Sequence, residues 1–349
     1  HMSAERSRLT DVALPEEAQA MLAPAVRAFL RQMLFLDPPD HTRLRGLVNK
    51  AFTPRVVEGM RQQVHETVDE LLDAVQERTE MDMIGDFAYP LPVVVIAQMM
   101  GVPREDQAQF TRWTSDLGSL IGGGALREDR APLALQGVME LMAYFRDIIA
   151  DHRAHPRSDL LQGLIEAEDR GDVLSEEELL GNCMLLLAAG HGTTTHLIGN
   201  GVVALLRHPD QLAVLREHPE MSAAAVTEIL RYDGTVQMTS RKARADVEIG
   251  GQRIAAGETI ITVLGAANRD PAQFPEPDRL DFTRQENRHV AFGHGIHYCV
   301  GAPLAQIEGQ VALATIVRRL PGLRLATDAL QWEQSTTFRG LRSLPVEFD

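Results

Sequence analysis

Apolar positions recur at helical spacing through the first two thirds of the chain, and then the texture changes. A segment from Pro38-Pro39 to about Lys50 is the first clear run. Thr53-Pro54 then supplies an N-cap and a first-turn proline for a long helix to about Gln76. Leu91 to Met100 is apolar all round, which predicts a buried helix, closed by Gly101 and Pro103. Arg104 to Leu117 is amphipathic. Gly122-Gly123-Gly124 breaks the pattern with the kind of mobile tip that often gates a site, and Pro132 to His155 resumes it.

Ser175-Glu176-Glu177-Glu178 has the spacing of a capping box, and the helix it opens runs to Arg207, before His208-Pro209. That is about 48 Å of helix at 1.5 Å per residue, enough to cross a domain. Ser222 to Tyr232 predicts one more helix. Beyond Asp233-Gly234, Val247 to Ile254 reads as a hairpin turning at Gly250-Gly251, and Ile260 to Leu264 as a strand. A last helix is expected from about Ala302 to Leu320, then short strands. No repeat or low-complexity tract interrupts the pattern. The fold class is mostly α with small β-sheets, in one domain over 1–349.

Composition narrows the function more than the fold. A hydrophobic content of 44% suits a globular core, and a net charge of -15 argues against a general nucleic-acid binder. Only Cys183 and Cys299 are present, far apart, so a disulfide framework is not expected and a reducing cytoplasm fits better. The longest apolar stretch, Leu91 to Val102, is too short for a membrane span and contains Pro92 and Gln98. His1-Met2 reads as a cloning remnant, and Ser3 to Asp11 is polar, unlike a signal peptide.

The most informative stretch is Phe292-Gly293-His294-Gly295-Ile296-His297-Tyr298-Cys299-Val300-Gly301. Glycines around one cysteine let the backbone turn tightly and approach a flat ligand. A helix starting just beyond Cys299 turns its positive end to the sulfur and stabilises a thiolate. Such a thiolate is a good haem ligand, although a lone cysteine is more often a small buried hydrophobe.

Phe292-Gly-x-Gly-x-x-x-Cys299-x-Gly301 resembles the haem-binding signature of the cytochrome P-450 family, and other regions agree in order along the chain. The resemblance implies that fold, with haem b (iron protoporphyrin IX) between the long central helix and the cysteine-loop helix. It makes Cys299 the axial iron ligand, with Ala291, Phe292, Gly293 and Gly301 against the cofactor. Glu228-Ile229-Leu230-Arg231 resembles the family's Glu-x-x-Arg helix. Phe274 to Arg279 resembles the segment that supplies its second arginine, so the expected structural triad is Glu228, Arg231 and Arg279. His41 and Arg45, an i,i+4 pair, resemble the propionate-binding helix, with Arg241 and His297 as the other propionate contacts.

Ala188-Ala189-Gly190-His191-Gly192-Thr193-Thr194-Thr195 resembles the oxygen-activation motif, Ala-Gly-x-acid-Thr-Thr. Ala189 and Gly190 then face the haem, and Thr193 is the alcohol that helps deliver protons to oxygen. Glycines and threonines are poor helix formers, which predicts a local bulge freeing a threonine hydroxyl. The acid position holds Gly192, with His191 or a substrate group as a possible substitute.

By resemblance the substrate pocket is lined by parts of Leu14 to Ala25 and by Ala189, Val236, Met238 and Phe338, which suits a hydrophobic small molecule. The likeness implies a monooxygenase using O2, with electrons from a ferredoxin or flavodoxin-like donor. Arg43, Lys50, Arg55 and Arg288 are candidates for the donor's docking patch. Two alternatives stay open: oxidative coupling, desaturation or peroxide-driven chemistry, motivated by Gly192, and a non-enzymatic haem-binding module. The family usually has several dozen more residues ahead of Ser3, so a short N-terminus with an open sheet edge is expected.

Overall fold

A computed structural model of the protein describes residues 2–4, 27–121, 131–169 and 174–349. Gly122-Gly123-Gly124 and Leu14 to Ala25 lie outside these described residues. The chain is mostly helical with four small sheets among the described residues. It divides into two compact units. One comprises His1–Phe52, Ala97–Ala188 and Thr239–Thr262; the other comprises Thr53–Ile96, Ala189–Met238 and Val263–Asp349.

In the first unit the helix Asp40–Ala51 buries His41, Leu44, Leu47, Val48 and Ala51 along one stripe. It packs on the helix Leu160–Asp169, where Gly163 lets the Ala51 methyl approach. The helices Gln107–Ile121 and Ala131–Ala154 pair through an aromatic cluster of Phe110, Trp113, Tyr144 and Phe145. Its two polar tips are satisfied: the Trp113 indole donates to Glu140 (2.9 Å) and the Tyr144 hydroxyl to Asp106 (2.8 Å). At the end of the second of these helices His152 is fully buried between the Ile148 carbonyl and Asp159. Gly101 closes over them with φ +68°, where any side chain would collide with both. The hairpin Val247–Ile249 and Gln252–Ile254 turns on Gly250 and Gly251, both at positive φ, as expected.

The second unit begins with the expected cap, since Val56 N–H donates to the Thr53 hydroxyl (3.3 Å). The single helix anticipated beyond it is two, Pro54–Gly59 and Arg61–Asp73, with the break where Gly59 weakens the backbone. The strands Glu80–Asp82, Pro345–Glu347 and Arg324–Leu325 form an antiparallel sheet. A π-helical turn, Met83–Ala88, follows the first of them and is capped by the Asp82 carboxylate. The helix Ala302–Arg319 is the hub of this unit and packs on Arg61–Asp73 and Ser222–Asp233.

The long helix is Glu176–Arg207, 32 residues, and the boundary between the units falls within it. Its capping box is formed: Glu178 N–H donates to the Ser175 hydroxyl (3.2 Å) and Ser175 N–H donates back to the Glu178 carboxylate (2.9 Å).

Candidate active site

The cysteine loop is built by its glycines. Gly293 and Gly295 have φ of +74° and +76°, conformations that other residues avoid. They let the chain double back so that Cys299 N–H donates to the Phe292 carbonyl (3.0 Å). Three residues later the helix Ala302–Arg319 begins, and Ala302 N–H reaches the Cys299 carbonyl (3.4 Å). The Cys299 thiol is exposed, whereas Cys183 is buried and its pKa is pushed up by desolvation. Burial, and then negative charge at Cys299, raise the Tyr298 phenol above its ordinary range. Ile296 and Tyr298, 55% and 44% exposed, put apolar surface beside the thiol.

A dense polar network underlies the loop. Arg231 is buried and uses all five of its N–H donors. Two go to the Glu228 carboxylate (both 2.8 Å) and the others to the carbonyls of Asn268 (3.0 Å), Pro277 (2.8 Å) and Arg279 (3.0 Å). Glu228 also accepts from Asp281 N–H (3.1 Å), the Asn287 amide (2.9 Å) and Arg284 (3.3 Å). Asn268 in turn accepts Val290 N–H (2.8 Å), which ties the network to the chain entering the loop.

This corrects the expected triad. The Arg279 guanidinium is exposed and pairs with Glu276 (3.4 Å), and Arg279 contributes only its carbonyl. The arginine facing Glu228 is Arg284, whose side chain is 10% exposed. Close by, His289 is held neutral, because its Nδ1 accepts Ala291 N–H (3.2 Å) and burial pushes its pKa down to about 4.

The oxygen-motif segment differs from its expectation. The helix passes through 189–195 without a bulge, and the Thr193 hydroxyl donates to the Ala189 carbonyl (2.8 Å) instead of standing free. Thr195 bonds the His191 carbonyl in the same way (3.2 Å). Local i−4 bonding satisfies these hydroxyls within the helix. A Cβ added at Gly192 would meet nothing within 4 Å. His191 stands edge-on to the Tyr89 ring (4.2 Å between centroids), and burial pushes its pKa down to about 4. Two residues are 200° around a helix, so His191 points away from Thr193 and is poorly placed to serve it.

Of the pocket candidates, Val236 and Phe338 are paired by a β-bridge, and Met238 opens the strand Met238–Ala243. The Thr235 hydroxyl donates to the Thr193 carbonyl (3.1 Å), which ties this run to the helix segment of Ala189 and Thr193.

His41, Arg45 and Arg241 belong to the first unit and His297 to the second. His41 is buried, and desolvation, then Arg45, lower its pKa against an upward pull from Asp37. Arg45 donates to Asn49 (3.1 Å), and Arg241 to the Thr239 hydroxyl (2.9 Å) and the Ser240 carbonyl (2.7 Å). Of the docking candidates, Lys50, Arg55 and Arg288 are exposed. Arg43 is committed to an ion pair with Glu178 (2.6 Å), a contact the sequence pattern does not signal.

The donor set fits a haem. Among the described residues no group of three or more His, Cys, Asp or Glu could hold a bare metal ion. A metal at the single exposed thiol would therefore bring its other ligands with it, as iron in a flat macrocycle does. No described helix is long and apolar enough to cross a membrane.

Comparison with known proteins identifies the family. The family model for cytochrome P-450 matches residues 133–321. Cytochrome P-450 CYP107DY1 of Priestia megaterium is 44% identical over 317 residues, 90% of this chain and 76% of its own. 6-Deoxyerythronolide B hydroxylase of Saccharopolyspora erythraea is 43% identical over 92% of this chain and 79% of its own. The crystal structure of P-450BioI in complex with hexadec-9Z-enoic acid ligated acyl carrier protein superposes with a TM-score of 0.89 and 42% identity. It covers 96% of this chain and 86% of that one. The chain thus belongs to the cytochrome P-450 family, as an oxidoreductase of the monooxygenase class with a haem-iron cofactor.

Proposed function

We propose that the chain is a haem-thiolate monooxygenase that inserts one oxygen atom from O2 into a hydrophobic small molecule, and that the Cys299 thiolate would hold the haem iron. The observation that carries this reading is the exposed Cys299 thiol on a glycine-shaped loop at the start of the helix Ala302–Arg319. When bound, haem b supplies the centre at which dioxygen is activated, with the thiolate's electron donation favouring O–O cleavage.

The protein's own part is to hold that thiolate, orient the cofactor and manage protons. The start of the helix favours negative charge on sulfur. The Glu228–Arg231–Arg284 network fixes the loop from behind. His41, Arg45, Arg241 and His297 neutralise the propionates, with arginine suited to bidentate carboxylate contacts. Ala291, Phe292, Gly293 and Gly301 form the loop's contact with the macrocycle, and Ala189 and Gly190 that of the long helix. Thr193 holds a proton at its hydroxyl within reach of oxygen. Val236, Met238 and Phe338 supply apolar lining. The long acyl chain carried in the P-450BioI complex supports an extended hydrophobic substrate. Electrons come from a ferredoxin or flavodoxin-like donor in the cytoplasm.

A second reading keeps the thiolate and changes the reaction to coupling, desaturation or peroxide-driven oxidation. Its support is Gly192, where an acid is missing and space stands open. Turnover with reduced ferredoxin against turnover with peroxide decides between them. Efficient ferredoxin-driven oxygen insertion supports the first reading, and peroxide-only turnover the second.

A further inference from the structure

We propose that His196 is the titratable side chain that passes protons from solvent toward the Thr193 hydroxyl, in place of the acid absent at position 192. The proposal rests on the monooxygenase reading, in which Thr193 is the alcohol of the oxygen site.

The placement comes from helix geometry. His196 is four residues from Gly192 and three from Thr193, so all three share a face, with Cβ positions about 5–6 Å apart at that spacing. A Cβ at the bare Gly192 would touch nothing within 4 Å, so there is open space beside this face. In the proposed relay, water in that space links the ring and the hydroxyl.

The ring itself is built as a relay. Its Nδ1 is enclosed against Gly340, which has no side chain to displace it, and has no hydrogen-bond partner. The residue itself is half-buried and not fully enclosed. An orphaned buried nitrogen is costly and rare, and is most readily explained by a partner that comes and goes. The charged group facing His196 is Glu333, itself 40% exposed and paired with Arg342 at 3.4 Å. Arg339, from the same run, is turned to Asp233 (2.5 Å). The nearest titratable neighbour on its own helix is His191.

Burial lowers the His196 pKa and Glu333 raises it, leaving it below the ordinary histidine value, so the ring is neutral at pH 7. A neutral imidazole has one N–H and one lone pair. The nitrogen opposite Nδ1 takes a proton from solvent beside Glu333, which makes a transient imidazolium, and gives a proton up to the bridging water. One N–H bond forms and then breaks at that nitrogen, the ring returns to neutral, and the enclosed Nδ1 is unchanged throughout. The electrons and the oxidant are those of the monooxygenase reaction.

Two measurements test this on the haem-loaded protein. Nitrogen-15 NMR of the imidazoles should show His196 titrating with a midpoint below 6.5, moved to lower pH by Glu333→Gln; a ring that does not titrate between about pH 4 and 8 overturns the proposal. His196→Asn should lower product formed per electron pair about tenfold or more, the lost equivalents appearing as peroxide, and Gly192→Glu in that background should restore it. Peroxide-driven turnover, which brings its own protons, should be unchanged. Coupling within twofold of the parent in His196→Asn overturns the proposal alone. Loss of the thiolate-type spectrum in the parent protein overturns instead the monooxygenase reading beneath it. Should His196→Asn fail to fold, His196→Gln and Glu333→Gln carry the same coupling test.

Discussion

The surroundings of Arg231 and those of Gly192 treat buried polar atoms in opposite ways. Beneath the cysteine loop every Arg231 donor has an acceptor, and Glu228 takes three further donors. Along the long helix His191 Nε2 and His196 Nδ1 are enclosed with no hydrogen-bond partner, and a Cβ at Gly192 would meet nothing within 4 Å. A fully satisfied network costs little to keep and rigidifies what it touches. Unpartnered nitrogens cost stability, and a protein retains them where protons or ligands must pass. On the proposed reading, the first region positions the thiolate and the second handles protons.

The largest effect should come from breaking the saturated side. Arg231→Ala leaves the buried Glu228 charge uncompensated, so it should cost roughly 3–5 kcal/mol and abolish haem incorporation, read by urea denaturation and haem content. Arg279→Ala should stay within about 0.5 kcal/mol, because only its backbone carbonyl is used. Equal losses from the two would undo the contrast between a guanidinium inside the network and one outside it.

This side has exceptions, Asn287 Oδ1 and Glu308, and the second sharpens the comparison. Glu308, on the cysteine-loop helix, is buried with Oε1 unpartnered, and burial raises its pKa to about 8. An acid raised in the folded state loses stability as pH climbs from its ordinary value of 4.5 toward about 8. Glu308→Gln should therefore stabilise the protein by up to about 3 kcal/mol at pH 7 and by little at pH 4, seen in denaturation midpoints at the two pH values.

His191 and His289 give the opposite sign. Both are lowered to about 4 by burial, so the unfolded chain binds the extra protons first. Their contribution is fully present above pH 6.5 and lost as pH falls toward 4, about 2 kcal/mol for each ring by pH 5. His289→Gln should remove about half of that acid-dependent loss in a denaturation series from pH 7.5 to 5. The smallest effect belongs to Gly192→Glu alone. With His196 already relaying protons, coupling should rise by less than about twofold, measured as product against peroxide.

What could be read from sequence was what local chemistry dictates. The Ser175 capping box, the Gly250-Gly251 hairpin and the glycines around Cys299 each have a short-range cause, and each formed. The break at Met60 between two helices was not visible, since apolar spacing continues across it. The third arginine was misplaced because 275–287 has no regular period. In such a run, five residues separate Arg279, which turns out, from Arg284, which turns in. The helices Leu160–Asp169 and Pro209–Glu217 are short and depend on tertiary packing, so their patterns did not stand out. His196 escaped notice because, although its i+4 spacing from Gly192 is visible, its surroundings are set by segments distant in sequence. Its role follows from Gly340 and Glu333, brought beside it by the fold.

The most direct test of the central claim is the absorption spectrum of the reduced, haem-loaded protein under carbon monoxide. A thiolate-type red-shifted band, lost in Cys299→His, is the result the account predicts. A band typical of histidine or neutral-thiol ligation in the parent protein would contradict it, because the exposed sulfur on the glycine-shaped loop would then not be what holds the iron.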